Sequence, residues 1–429
     1  MSETILVVDD DASVRESIRG VLRDEGFAVV TAVDGREAVE MVASVGPALV
    51  LLDVWMPEMD GIEVLASIKD ARHDVPVIVL SGHGNVEMAV KATRLGAIDF
   101  IEKPFSLDGL LSSVKRALHS AAPEAGAHAV AAENGPRSTD EGVGPRLPQR
   151  TLAKSVVGGG LGLHSGVRTG LILHPLPPGS GIRFGRVGNE DYVEAVADNV
   201  DSTGYATSLY KAGLVVRTVE HLMATLHAYG VTNLLVKVEG EVPILDGSAV
   251  ELCELIESVG VEEQPASVAA FVVREPLRVD GEGAGSDTFI SVEPYDGLRV
   301  TYELSYPEPV GEQRYTFELA GAQSFRDQIA PARTFGFVEE IRALEAAGLG
   351  QGGQLGNFIL IGDQGIVNTE LRFPEELARH KILDLMGDCY LLGRPLRGAI
   401  RARKTGHGHN VELVRRLRAT LGAAVTSGR

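Results

Sequence analysis

The sequence predicts a multidomain chain in which an α/β doubly wound unit is followed by a larger α+β region. Three observations carry this. The chain has 429 residues, 44% of them hydrophobic, more than one core ordinarily serves, so two or three domains are expected. Residues 1–120 alternate continuous apolar runs with helical periodicity, the pattern of a parallel sheet covered on both faces. Beyond residue 149 glycine and proline increase, and β-rich stretches are broken by occasional helices without regular βαβ alternation.

In chain order, the first unit has five strand-like runs, at Ile5–Val8, Ala28–Ala32, Leu49–Leu52, Val77–Leu80 and Ile98–Ile101, giving an expected five-stranded parallel sheet. Residues 121–148 contain no aromatic residue and no apolar periodicity, so they cannot bury enough surface to offset ordering entropy and read as a flexible linker. A flexible tether of that length spans roughly 30 Å, which permits domain docking without enforcing it. Two further blocks follow, 149–265 and 266–424, with helices expected near 217–229, 248–258, 336–347 and 374–392.

Composition excludes several classes. A net charge of −19 and a pI near 5.1 argue against a nucleic-acid surface, which would be basic. The acidity is concentrated in residues 1–120, with 20 acidic against 11 basic residues. Cys253 and Cys389 are the only cysteines, so neither a disulfide framework nor a thiolate zinc site is expected. The N-terminus lacks a basic, then apolar, leader, and no apolar run reaches the roughly 18–20 residues of a membrane span. A cytoplasmic, soluble chain is expected.

The first unit carries a constellation of charges at strand ends. Asp9 and Asp10 end the first strand, Asp53 the third, Ser81 the fourth, and Lys103 follows the fifth. In a doubly wound sheet these ends converge on one crevice. Three carboxylates there suit a hard cation such as Mg²⁺, and with Lys103 the ion would neutralise charge during phosphoryl transfer to a carboxylate. The stretches Val7-Val8-Asp9-Asp10, Asp53-Val54-Trp55-Met56-Pro57, Asp60-Gly61, Ser81-Gly82-His83-Gly84 and Lys103-Pro104-Phe105 closely resemble a response-regulator receiver domain over residues 3–118. The resemblance implies a flavodoxin-like fold with Asp53 as phosphoacceptor. Asp9, Asp10 and Asp53 would hold Mg²⁺ with help from the Trp55 carbonyl, and Ser81 and Phe100 would form the switch pair. It also implies a sensor histidine kinase or other phosphodonor as partner, and a route to oligomers. His83 reads as a loop residue. Neither an ATPase phosphate loop nor a basic recognition helix follows, so the output lies elsewhere.

That output centres on the segment Ala378 to Asp388, which reads as a largely buried helix. His380, Asp384 and Asp388 recur every four residues and drift by only about 80° in total, so they share one face. Imidazole and carboxylate at i and i+4 form a chelating pair that needs a third ligand. The segment Arg217 to Leu226 supplies one, His221, with Glu220 beside it. Alone, His221 reads as a satisfied structural histidine. With His380 and Asp384 it leaves a tetrahedral metal one open position, and Glu220 would serve as general base on a water there. The His-Glu-x-x-His string of metalloproteases is absent. His407, glycine-flanked and expected on a loop, would be a general acid oriented and charged by Asp388; alone, the same segment reads as an exposed turn. Thr334 offers a hydroxyl to a developing oxyanion, or a helix N-cap.

Taken with Gln149-Arg150-Thr151-Leu152, Gly162-Leu163-His164-Ser165-Gly166, Pro243 to Ala249 and Ala332 to Phe337, these blocks closely resemble the UDP-3-O-acyl-N-acetylglucosamine deacetylases of lipid A biosynthesis, from Gln149 to about Leu421. The resemblance implies zinc on His221, His380 and Asp384, with Glu220 as base and His407 as the acid supported by Asp388. Thr334 would polarise the amide carbonyl, and Lys381 and Phe335 would bind substrate, Lys381 at the diphosphate. It further implies two β-α-α-β subdomains in a sandwich and a passage for the acyl chain, hence a UDP-linked acylated glucosamine met near the inner membrane without an anchor. Ferrous iron would suit the same ligands. Ser208 stands where some relatives carry a cysteine near the metal, which speaks against a second metal there. Gly158 to Gly162 is expected in a turn. The expected function is zinc-dependent release of acetate from this substrate, modulated by phosphorylation of Asp53. The alternative is a phosphorylation-responsive scaffold whose deacetylase fold only binds ligand.

Overall fold

The computed structural model describes residues 3–54, 56, 61–71, 75–81, 92, 95–102, 105–119, 144–186, 191–281, 283, 286–340, 344 and 348–426. Trp55, Asp60, His83 and Lys103 therefore lie outside the described residues. Of Ser81 and Phe100 only the backbone is described, in the fourth and fifth strands.

The N-terminal unit is built from β1 (Thr4–Val8), α1 (Ala12–Asp24), β2 (Ala28–Ala32), α2 (Gly35–Val45), β3 (Leu49–Asp53), α3 (Gly61–Ala71), β4 (Val77–Ser81) and β5 (Asp99–Glu102). The strands pair in parallel in the order β2-β1-β3-β4-β5. Alternation along each strand explains why the runs are apolar throughout. Ile5, Val7, Leu49 and Leu51 enter one core, while Leu6, Val8, Val50 and Leu52 enter the core on the opposite face. Helix α1 starts at Asp11, whose carboxylate accepts hydrogen bonds from the Ser13 and Val14 amides.

The two parts of the chain share a sheet. β6 (Phe105–Ser106) pairs antiparallel with Val156 and Val157, and the helix Leu107–His119 follows it. After residues outside the description, β7 (Arg146–Leu152) pairs with Val261–Ala269, so ordered strand begins inside the 121–148 stretch read as linker. β8 (Val156–Leu161) and β9 (Arg168–Pro175) form a hairpin in a sheet ordered Tyr192–Glu194, Ile182–Gly185, Leu234–Val238, β9, β8, β6. Gly158, Gly159 and Gly160 lie in β8 rather than in a turn; the turn is the Gly162–Val167 tip. Side chains at Gly158 and Gly160 would crowd Leu255 and Leu245, which explains small residues in this strand.

The second large sheet contains Leu277–Asp280, Phe289–Glu293, Leu396–Arg403, Leu298–Ser305 and Glu312–Glu318. One continuous apolar core joins residues of both sheets to two helices, Glu220–Tyr229 and Glu376–Tyr390. These helices are buried nearly all round, polar residues included; in the second, only Arg379 and Lys381 escape burial. The helix expected near 336–347 starts two residues later than that. Phe335–Phe337 pairs as a strand with Ile359–Gly362, and helical backbone starts at Val338. Thr334 therefore leads into a strand and caps no helix, its amide bonded to the Gly247 carbonyl at 2.8 Å. Among the described residues, no helix is long and apolar enough to cross a membrane.

A buried ion pair ties the Thr334 segment to the Glu376–Tyr390 helix. Arg333 Nε donates to Glu376 Oε1 at 2.9 Å, and its other nitrogens reach Thr369 Oγ1 and the Glu370 carbonyl. The amides of Arg333 and Arg372 also donate to Glu376. Replacing Glu376 with alanine leaves a buried guanidinium uncompensated, so the urea midpoint should fall by the equivalent of about 3 kcal/mol or more, with Glu376→Gln losing less. An unchanged midpoint at unchanged slope would contradict this account of the pair.

Candidate active site

The Glu220–Tyr229 and Glu376–Tyr390 helices cross with almost no gap. A Cβ on Gly387 would overlap the carbonyl oxygen of Glu220, so that crossing requires glycine. One consequence is that His221 meets His380 and Asp384, which lie on adjacent turns of the other helix. The imidazole centroids are 5.0 Å apart and nearly perpendicular. His221 Nε2 lies 3.6 Å and His380 Nε2 3.4 Å from the same oxygen, Asp384 Oδ1. One ligand atom from each of the three residues falls within 4.8 Å of the other two.

The protonation of this trio suits a metal. His380 Nδ1 faces the Ala332 carbonyl at 3.2 Å, which fixes Nδ1 as the donor and leaves the Nε2 lone pair facing the site. Burial, together with neighbouring cations and against the pull of Asp384, lowers the His380 pKa to about 3, so the ring is neutral. Burial alone would raise Asp384, but the Lys381 ammonium, 3.1 Å from its Oδ2, and a hydrogen bond from His221 hold it well below the usual carboxylate range. Two imidazoles and one carboxylate are a donor set that would hold a divalent transition metal.

Glu220 is the first residue of its helix. Its Oε2 accepts the Thr207 amide at 3.1 Å, and burial raises its pKa. The residue two before it, Thr218, has φ 59, an uncommon conformation for a β-branched side chain. The Thr218 hydroxyl is held by Glu241 at 3.0 Å, and Glu241 also receives the amides of His164 and Ser165.

His407 begins the helix His407–Thr426 rather than occupying a loop. Its Nε2 is 3.9 Å from Glu220 Oε1, and its Nδ1 bonds Asp388 Oδ2 at 2.8 Å. Asp388 is fully buried and also accepts from Thr207 Oγ1 at 2.6 Å and Asn410 Nδ2 at 2.9 Å. Burial and the helix N-terminus disfavour a charged ring, yet the Asp388 and Glu220 carboxylates win and lift its pKa to about 9. The site thus pairs a carboxylate poised to accept a proton with an imidazolium poised to give one.

Glu220, His221, His380, Asp384 and His407 line a cleft of about 490 Å³ together with Thr334, Phe335, Tyr306 and Lys381, with Asp388 behind it. Lys381 Nζ lies 3.1 Å from Asp384 Oδ2 and 5.5 Å from the Phe335 ring centre. A contiguous apolar pocket of about 240 Å³ runs on past Phe337, Leu344, Leu349 and Phe358. Every deacetylase-part residue singled out from sequence lies in or directly behind this cleft. Four others were missed as individuals. Thr207, Asn410 and Glu241 act only through tertiary hydrogen bonds and carry no local signal. His164 was visible within Gly-Leu-His-Ser-Gly; it is buried at the cleft wall, with neither ring nitrogen hydrogen-bonded. In the N-terminal unit, Asp9, Asp10 and Asp53 also bring one ligand atom each within 4.8 Å, with Asp9 and Asp53 buried and Asp10 exposed.

Residues 149–419 match the UDP-3-O-acyl N-acetylglycosamine deacetylase family. The chain belongs to this family. Residues 5–115 match the response regulator receiver domain, so this member of the deacetylase family carries an N-terminal receiver. A UDP-3-O-acyl-N-acetylglucosamine deacetylase of Neisseria meningitidis is 40% identical over 279 residues, 62% of this chain and 89% of that protein. One from Myxococcus xanthus is 44% identical over 275 residues, 63% of this chain and 86% of that one. The receiver domain of NtrX from Brucella abortus is 44% identical over 27% of this chain and 99% of its own, with a TM-score of 0.27.

The electrostatics of this deacetylase-family site predict a bell-shaped pH profile. Activity should rise as Glu220 loses its proton and fall as His407 loses its own near pH 9. Asp388→Asn should move the alkaline limb to lower pH. In stability, the His407 contribution is fully present below the ordinary value of 6.5 and is lost as pH rises through about 9. The dependence of kcat/KM on pH checks the assignment; an alkaline limb unmoved in Asp388→Asn would reject it.

Proposed function

We propose that the chain hydrolyses the N-acetyl amide of a UDP-linked, 3-O-acylated N-acetylglucosamine, releasing acetate in lipid A biosynthesis, with zinc as its metal. The single observation that carries this is the convergence of His221, His380 and Asp384 with Glu220 on one side and the Asp388–His407 pair beside it. Family membership and the printed activity of the relatives support the substrate class.

A divalent cation held by His221, His380 and Asp384 would acidify water and polarise the acetyl carbonyl. Glu220 removes a proton from the attacking water as the new carbon–oxygen bond forms. His407 gives its Nε2 proton to the amide nitrogen as the carbon–nitrogen bond breaks, leaving acetate and a free amine. Asp388 keeps that ring oriented and charged throughout. The Thr334 hydroxyl is placed to donate to the carbonyl oxygen, and Lys381 offers its charge to the diphosphate. The apolar pocket beside Phe335 accommodates an acyl chain, which suits a substrate drawn from the inner membrane surface. Two β-α-α-β halves, 149–265 and 266–424, are consistent with a site assembled from both sheets.

In the receiver, Asp53 would accept a phosphoryl group from a phosphohistidine or acyl phosphate, with Mg²⁺ at Asp9, Asp10 and Asp53, and so modulate deacetylation. Glu220→Gln should retain bound zinc while acetate release falls by a factor on the order of 10² to 10⁴. Metal analysis and acetate release on the same preparations decide it. Zinc-loaded wild-type chain with no turnover would favour the scaffold reading instead.

A further inference from the structure

The receiver does not hang free of the deacetylase part; it sits on the β8–β9 hairpin. Val157 and Ile172 of the hairpin belong to the same buried cluster as Ile18, Val21, Leu110 and Val114 of the receiver. β6 extends the hairpin's sheet, and the Leu107 amide bonds the Ser155 carbonyl at 2.9 Å. A side chain at Gly170 would overlap Ser17 Oγ of α1, so helix and strand touch at backbone distance. At the far end of the hairpin, Arg168 Nη1 bonds Asp11 Oδ2 at 2.9 Å.

Arg168 stands between two sites. On one side Asp11 directly follows the acidic pair Asp9 and Asp10, and all three carboxylates act on the guanidinium. On the other side Arg168 is paired with Leu161, and together they close the Gly162–Val167 tip that puts Leu163 and His164 on the cleft wall. Glu241 clamps that tip to Thr218, just before Glu220. The Arg168 side chain is 67% exposed, so its ion pair adds little to folding. Its effect is positional.

We propose that the β8–β9 hairpin transmits the charge state of the receiver's acidic pocket to the substrate wall of the deacetylase cleft, with Arg168 as the positioning residue that senses it through Asp11. This rests on the reading of Asp9, Asp10 and Asp53 as a cation pocket and of the cleft as a deacetylase site. A divalent cation among those carboxylates repels the guanidinium, loosens the Asp11–Arg168 pair and frees the tip carrying Leu163 and His164. Neither side chain belongs to the metal trio or to the base, so substrate affinity changes and the chemical step does not.

The test uses the full chain with Mg²⁺ and beryllofluoride as probes. Fluorescence of Trp55, the one tryptophan, two residues from Asp53, reports Mg²⁺ binding. In wild type the probes should raise KM about threefold with kcat unchanged and speed amide hydrogen exchange in residues 161–168. Arg168→Gln should abolish both responses and bind Mg²⁺ about threefold tighter, because a repelling cation has gone. Arg168→Lys should keep the wild-type pattern. Asp11→Asn keeps the oxygen that caps α1 while removing the charge, and should likewise abolish the KM and exchange responses where Arg168→Gln fails to fold, although losing a carboxylate beside the pocket weakens its Mg²⁺ binding. Equal responses in wild type and the charge-removing variant overturn the proposal, as does wild type with no exchange response. Loss of acetate release with the exchange pattern intact would instead count against the deacetylase reading alone.

Discussion

Two buried helices can approach until backbone meets backbone only where one of them has no side chain, and here that residue is Gly387. Its contact with the Glu220 carbonyl fixes the rotation and depth of one helix against the other. From that setting follow the opposition of His221 to His380 and Asp384, the placement of Glu220 at the first turn, and the reach of Asp388 across to His407. A larger crossing distance would separate the donor atoms beyond a common ion. The apolar faces of the helices hold this geometry by packing into the single core between the sheets.

Placing four carboxylates in that core carries an electrostatic cost, and the structure meets it by pairing three of them. Asp388 has three hydrogen-bond donors and no solvent exposure. Asp384 lies among His380, His221 and Lys381. Glu376 takes Arg333. The residual imbalance is functional. Glu220 has one backbone amide and a distant imidazole, which leaves it the weakest-held carboxylate in the cleft and hence the one ready to accept a proton.

Much of this was legible in the sequence because it obeys local periods. The receiver strands showed as apolar runs, since both faces of a parallel sheet are covered. His380 and Asp384 showed as a chelating pair because four residues return a helix to the same face. What was not legible depends on contacts far apart in sequence. Gly387 stood in plain view between Asp384 and Asp388, but nothing local says which backbone lies against it. The triple glycine of β8 looks like a turn, although tertiary crowding by Leu255 and Leu245 places it in a strand. Thr334 looks like a helix cap, but Phe-Gly-Phe alternation pairs with Ile359–Gly362 first. Likewise the linker composition told of a tether and gave no hint that α1 would seat on β9.

The same hairpin that borders the cleft also seats the receiver, so the receiver's acidic pocket and the deacetylase-family cleft meet through strands rather than through the tether. The account as a whole stands on the helix crossing, and the most direct test is bound zinc per chain, measured with acetate release on the same sample of Gly387→Ala. If the crossing sets the ligand geometry, the variant should remain folded by circular dichroism while its zinc affinity drops by roughly tenfold or more and turnover falls with it. Full zinc occupancy at wild-type affinity with undiminished turnover would contradict it.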